Sequence, residues 1–150
     1  MSTKMKVLRI GIATRAQMRA RTIAIARGEL KPSADDPKVW FTSIKSLAEV
    51  LSNENRLLLE IIRRMRPASL QELAQISGRK PSNLSRTLHT MERYKLVELE
   101  RSDAGTLMPR VPYDRVSCDL PLEGVQDAAI PISFQAAQNE KVRLERTKWS

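Results

Sequence analysis

The sequence predicts a mainly α fold with a small β element (α+β), on three observations. Within residues 78–101, Leu84, Leu88 and Met91 recur at i, i+4 and i+7 and so share one face of a helix. Just upstream, Ser69 and Glu72 form an S-x-x-E pattern, whose two side chains satisfy orphan backbone donors at a helix start. Just downstream, Leu96, Val97 and Leu99 alternate partly with polar residues, giving a strand, and a turn at 102–106 leads into a returning strand over 107–120.

Taken in order, residues 6–12 are rich in Val, Leu and Ile and read as a short strand. Thr14 and Gln17 then repeat the capping-box pattern and open a helix running to about Gly28. These elements are too short to bury much alone, so residues 1–31 form a basic strand-helix extension that docks on the main domain or on a second copy of the chain. Residues 32–38, with Pro32, Ser33, Asp35, Asp36 and Pro37, mark a linker. Thr42 or Ser43 caps the next helix, with Ile44, Leu47, Ala48 and Leu51 on one face and Trp40 and Phe41 stapling its start. Ser52 or Asn53 caps another, with Leu58, Ile61, Ile62 and Met65 facing inward until Pro67 ends it. The capped segment at Ser69 continues through Leu70, Leu73, Ala74 and Ile76. Gly78 then supplies a left-handed stop, and Pro81 restarts the chain as a helix.

Helix, short turn, helix is the bihelical pattern of DNA-binding proteins, and two strands closing on the helical core make it a winged helix-turn-helix over residues 39–120. Pro109 and Pro112 restrict the returning strand to an edge or a bulge. Residues 121–150 form a C-terminal tail, disordered or folding on a partner, with a short apolar run at 129–134.

The second helix of the pair presents Ser82, Asn83, Arg86, His89, Thr90 and Arg93 away from Leu84, none of them acidic. Such a face donates to phosphates and base edges alike. The candidate DNA-binding residues are Arg79, Lys80, Ser82, Asn83, Ser85, Arg86, His89, Thr90, Arg93 and, on a wing made modestly basic by Arg101, Arg110 and Arg115, Arg101. The net charge of +9 is uneven, since residues 1–31 hold eight basic side chains against Glu29 alone. That imbalance suits nucleic acid, an anionic surface or an acidic partner.

Other chemistries find little support. One Cys and one His far apart do not make a metal site, no carboxylates pair with a nucleophile, and no Gly-rich phosphate loop is present, so neither an enzyme nor a cofactor is expected. Cys118 reads as a small buried hydrophobe on the second wing strand. No signal peptide or membrane span is apparent, and a single cysteine excludes an intrachain disulfide, so a cytoplasmic, nucleoid-associated protein is expected.

The run SLQELAQISGRKPSNLSRTLHTMERYKLVEL resembles the helix-turn-helix and wing entry of MarR-type winged-helix regulators. The longer stretch KVWFTSIKSLAEVLSNENRLLLEIIRRMRPASLQELAQISGRKPSNLSRTL looks like a group of predicted bacterial DNA-binding proteins, some of them thought to be antitoxins of toxin–antitoxin operons. The resemblance implies a homodimeric repressor on a pseudo-palindromic operator, autoregulating its operon. It also admits a module that neutralises a cognate toxin, or a ligand-responsive regulator. Lys95 stands where such regulators often have Gly. A left-handed conformation there would cost Lys about 1 kcal/mol relative to Gly.

Overall fold

The computed structural model describes residues 4–122. The elements below belong to one compact unit, Met1–Leu120, and nearly all of the predicted tail lies outside the described residues. In chain order they are β1 (Val7–Ile12), α1 (Arg15–Ala26), β2 (Val39–Phe41), α2 (Ile44–Val50), α3 (Asn53–Met65), α4 (Leu70–Ser77), α5 (Pro81–Arg93), β3 (Glu98–Arg101), β4 (Leu107–Arg110) and β5 (Arg115–Asp119).

Local chemistry starts each helix. Thr14 and Gln17 form the reciprocal cap of α1, and the Ser43, Ser52 and Ser69 hydroxyls accept the third backbone N–H of α2, α3 and α4. At α4 the Glu72 carboxylate accepts the N–H of Ala68, one residue before the cap. Gly78 ends α4 at φ 74°, the left-handed stop for which glycine is suited.

The core is one cluster. Leu58 and Ile62 of α3, Leu73 of α4 and Leu84, Leu88 and Met91 of α5 meet Leu96 and Val97, and Leu8 and Ile10 of β1 with Val39 and Phe41 of β2 complete it. Truncating any one of these fully buried leucines would cost about 2–5 kcal/mol.

The sheets differ from expectation. Instead of a single wing sheet, the described residues form two sheets: an antiparallel hairpin of β3 and β4, and a parallel three-stranded sheet ordered β2-β1-β5. The returning strand expected over 107–120 therefore divides. Its first part stays in the hairpin, with Pro109 opposite Leu99. Pro112, which has no N–H to give a ladder, falls in the break, and the second part pairs along β1 from Val7↔Arg115 to Gly11↔Asp119. Trp40 and Phe41 likewise do not staple α2. They extend into β2, in register as Gly11↔Trp40 and Ile12↔Phe41. Gly11 suits this pairing because a Cβ there would run into the Trp40 ring. Phe41 stacks on Tyr94 at 4.2 Å between centroids, tying the sheet to the end of α5.

Three apolar assignments are also corrected. Met65 and Ile44 are exposed, because the chain leaves α3 through Arg66 at φ 45° and no described residue covers the start of α2. Ile76 is exposed as well, on the last turn of a helix only eight residues long. Periodicity assigned these residues to the correct faces, but the core does not extend to them.

Candidate nucleic-acid interface

α4, the turn and α5 hold the outward face. Leu84, Leu88 and Met91 are fully buried, which fixes the rotation of α5 and leaves Ser82, Asn83, Arg86, His89 and Arg93 exposed, with Ser85 and Thr90 half-buried. The six residues read as outward from the sequence contain no carboxylate, and Glu92, also exposed, lies beside their line. Two of them are oriented by their own helix. Thr90 Oγ1 donates to the Arg86 carbonyl at 3.1 Å, and His89 Nδ1 lies 2.7 Å from the Ser85 carbonyl, a contact that requires the proton on Nδ1. Arg93 reaches back to Thr90 Oγ1 at 3.5 Å. Lys80 and Arg86 form neither an ion pair nor a side-chain hydrogen bond with any described residue.

The start of α5 is chemically distinct from the other helix starts. Its cap is Lys80, which contributes no side-chain hydrogen bond, and Pro81 occupies the first turn. The N–H groups of Ser82 and Asn83 are therefore left for an external acceptor, at the positive end of the helix dipole and next to an ammonium group. Counting side chains in the sequence missed this feature; the signal was Lys-Pro standing where every other described helix has Ser or Thr.

Arg79, in contrast, is engaged. Its Nη1 donates to Asn55 Oδ1 at 3.0 Å, while Asn55 Nδ2 donates to the Val50 carbonyl at 2.9 Å. It joins the turn to the start of α3 and so positions α5.

The wing carries less charge than expected. Arg115 lies on β5 in the other sheet, and Arg110 Nη1 donates to the carbonyls of Pro67 at 2.9 Å and Pro109 at 2.7 Å. Arg101 remains at the exposed tip, where Gly105 turns at φ 82°. Between α5 and β3 the join is left-handed at Lys95, φ 60°, so the strain considered for that position is present.

Three arginines elsewhere are paired with carboxylates: Arg21 with Asp36 at 2.7 Å, Arg63 with Asp114 at 2.9 Å and Arg64 with Glu60 at 3.0 Å. Asp114 also accepts the Lys6 N–H at 2.9 Å, and this bond, then the Arg63 guanidinium, holds its carboxyl below the usual carboxylate range. Asp36 is lowered in the same way by the Ser33 N–H and by Arg21. Cys118 is exposed on β5, not buried; partial desolvation, then Asp119, pushes its thiol up and away from the reactive thiolate. Among the described residues no three His, Cys, Asp or Glu side chains gather to hold a metal, and no helix is long and apolar enough to cross a membrane.

A family model described as HVO_A0114 matches residues 50–118, the stretch from the end of α2 through the hairpin and most of β5. The chain is also similar to a solved structure described as the predicted DNA-binding transcriptional regulator from E. coli. Identity there is 22% over 67% of this chain and 85% of that chain, with a TM-score of 0.39. No curated protein matches.

Proposed function

We propose that the protein is a sequence-specific, non-enzymatic DNA-binding transcriptional regulator that seats α5 in the major groove. The observation that supports this reading is the outer face of α5: exposed Asn83 and Arg86 on a helix fixed from behind by three buried apolar side chains, with uncapped N–H groups and Lys80 at its start. Arg86 offers a bidentate donor for guanine O6 and N7, and Asn83 the amide that pairs with adenine. Lys80, Ser82, Arg93 and Arg101 take phosphates, while Ser85, His89 and Thr90 line the groove contact. Arg79 acts behind them by holding the turn.

The test is selection of bound duplexes from a random pool, followed by titration of the preferred site at moderate salt. Arg86→Ala should lower affinity for that site by about 1–3 kcal/mol and relax the preference at one base pair. Recovery of no preferred sequence, or unchanged affinity in Arg86→Ala, would contradict the reading.

The MarR-type resemblance narrows this to a homodimeric, cytoplasmic repressor of its own operon on a pseudo-palindromic operator, with an antitoxin role that adds a cognate toxin as partner. Removing residues 122–150 separates the two roles. A repressor alone keeps its operator affinity and loses nothing else, whereas an antitoxin using its tail keeps the operator and loses protection against the toxin.

A further inference from the structure

The three-stranded sheet ends, among the described residues, on β5, whose outer edge pairs with no other strand. Arg115 N–H bonds inward to the Lys6 carbonyl at 3.3 Å. Because successive residues of a strand point their backbone groups to opposite sides, Val116 and Cys118 direct their N–H and C=O groups outward. Their side chains share the face of Leu8 and Ile10, with which they are in register. Unlike those two they are exposed, and they line an apolar groove of about 880 Å³ together with Ile44, Leu47 and Leu57 of α2 and α3. Among the described residues the core side of the sheet thus continues past its cover, beside an edge that no described strand pairs with.

We propose that this edge is where a second copy of the chain pairs, β5 against β5 in antiparallel register about Ser117. A two-fold axis perpendicular to the sheet must pass through a residue, since paired residues have to lie on the same face. Centred on Ser117, it sets Arg115 opposite Asp119 of the other copy, twice, and Val116 opposite Cys118, twice. The outward N–H and C=O groups of Val116 and Cys118 are then the ones exchanged across the join. Neighbouring centres lose this match. About Val116, Arg115 meets Ser117; about Cys118, Arg115 meets Pro121, which has no N–H, and Ser117 meets Asp119. Opposite charges facing each other support antiparallel pairing, and like charges oppose it. The Ser117 register also brings the two apolar grooves together on one side of a six-stranded sheet, covering Ile44, Leu57 and Val116. This surface does not depend on DNA, so its failure would leave the reading of α5 intact.

The experiment uses the full chain without DNA. Its mass in solution should be twice the 17.0 kDa of the chain. Arg115→Asp or Asp119→Arg should each weaken the dimer by about tenfold or more, and the double exchange should restore it. In Val116→Cys, mild oxidation should link the new thiol to Cys118 of the other copy, since residues exchanging both hydrogen bonds lie about 5.5 Å apart at Cα; adding Cys118→Ser should abolish the link. A monomer at high micromolar concentration would overturn the proposal, and so would a dimer indifferent to both reversals or one in which Val116→Cys gives no linked species. If a reversal variant fails to fold by circular dichroism, the crosslink alone decides, its presence supporting the register and its absence refuting it.

Discussion

Replacing Lys80 by alanine should flatten the salt dependence of DNA binding while leaving the preferred sequence unchanged, and the magnitude follows from the first turn of α5. Lys80 is exposed, unpaired among the described residues, and adjacent to helix N–H groups that no side chain caps. A phosphate seated there releases its counterion when bound, and each phosphate neutralised on duplex DNA adds about 0.9 to the slope of log affinity against log salt. If Arg86 reads a base, the cations left for the backbone in each protomer are Lys80, Arg93 and Arg101. If the chain binds as the proposed dimer, its two protomers contact about six phosphates, for a slope of about −5.4, so affinity should fall about 1,800-fold between about 50 and 200 mM salt. Without both copies of Lys80 the slope becomes about −3.6 and the fall about 150-fold. Fluorescence anisotropy of a labelled duplex across that range measures both slopes, with a scrambled duplex as control. Lys80→Ala should shift the two duplexes alike. Equal slopes for wild type and variant would refute a phosphate at the start of α5, and a loss confined to the preferred duplex would make Lys80 a base reader instead.

Gly11→Ala should destabilise the fold by about 1–3 kcal/mol, because the new Cβ would lie 2.6 Å from Trp40 Cε3 and 3.0 Å from Pro37 Cγ and displace a ring that Arg21 covers at 5.5 Å; a thermal melt measures it. Lys95→Gly should raise stability by about 0.5–1 kcal/mol, since the relief at φ 60° outweighs the added freedom of the unfolded chain, and Lys95→Ala should bring no such gain. Asp114 gives the acid response its sign. Its carboxyl is lowered in the folded state by the Lys6 N–H and by Arg63, so the unfolded chain binds more protons in that window. The stabilisation is complete above the ordinary carboxylate value of about 3.9 and is lost as pH falls through the lowered one. Melting temperature should therefore drop less steeply in Asp114→Asn than in wild type when pH is taken from about 5 to about 3.

What could be read from the sequence was what is encoded within one turn of chain. The Ser69 cap, the Gly78 stop, the Pro81 restart and the Leu84, Leu88, Met91 stripe each depend on neighbours three or four residues away, and each forms as expected. The parallel sheet was hidden because its pairings span the molecule. β2 is three residues long and takes its partner from β1, across all of α1, and β5 returns to β1 across all the remaining helices and the hairpin. Pro112 signalled that the strand over 107–120 must be interrupted, but no local rule says where an interrupted strand goes next. The same reasoning explains the wing. Arg110 and Arg115 were grouped with Arg101 by their nearness in sequence, whereas one is bonded to the Pro67 carbonyl and the other lies in a different sheet.

A net charge of +9 invites the inference of nucleic-acid binding, but charge alone does not choose a surface, and the chemistry of α5 is the stronger argument. Arg21, Arg63 and Arg64, which lie on α1 and α3, each have a carboxylate within 3.0 Å; in effect they are neutral to a passing polyanion and hold elements together instead. On α5 the nearest acid, Glu92, stands off the line of Asn83, Arg86 and Arg93, and the helix start has an ammonium where the other helices have a hydroxyl. A helix serving only the core would gain from a Ser cap at position 80, worth about 1 kcal/mol, and from acids in its first turn. α5 has neither. Its first turn is left incomplete in the way that an external anion would complete, next to the residues best suited to reading bases.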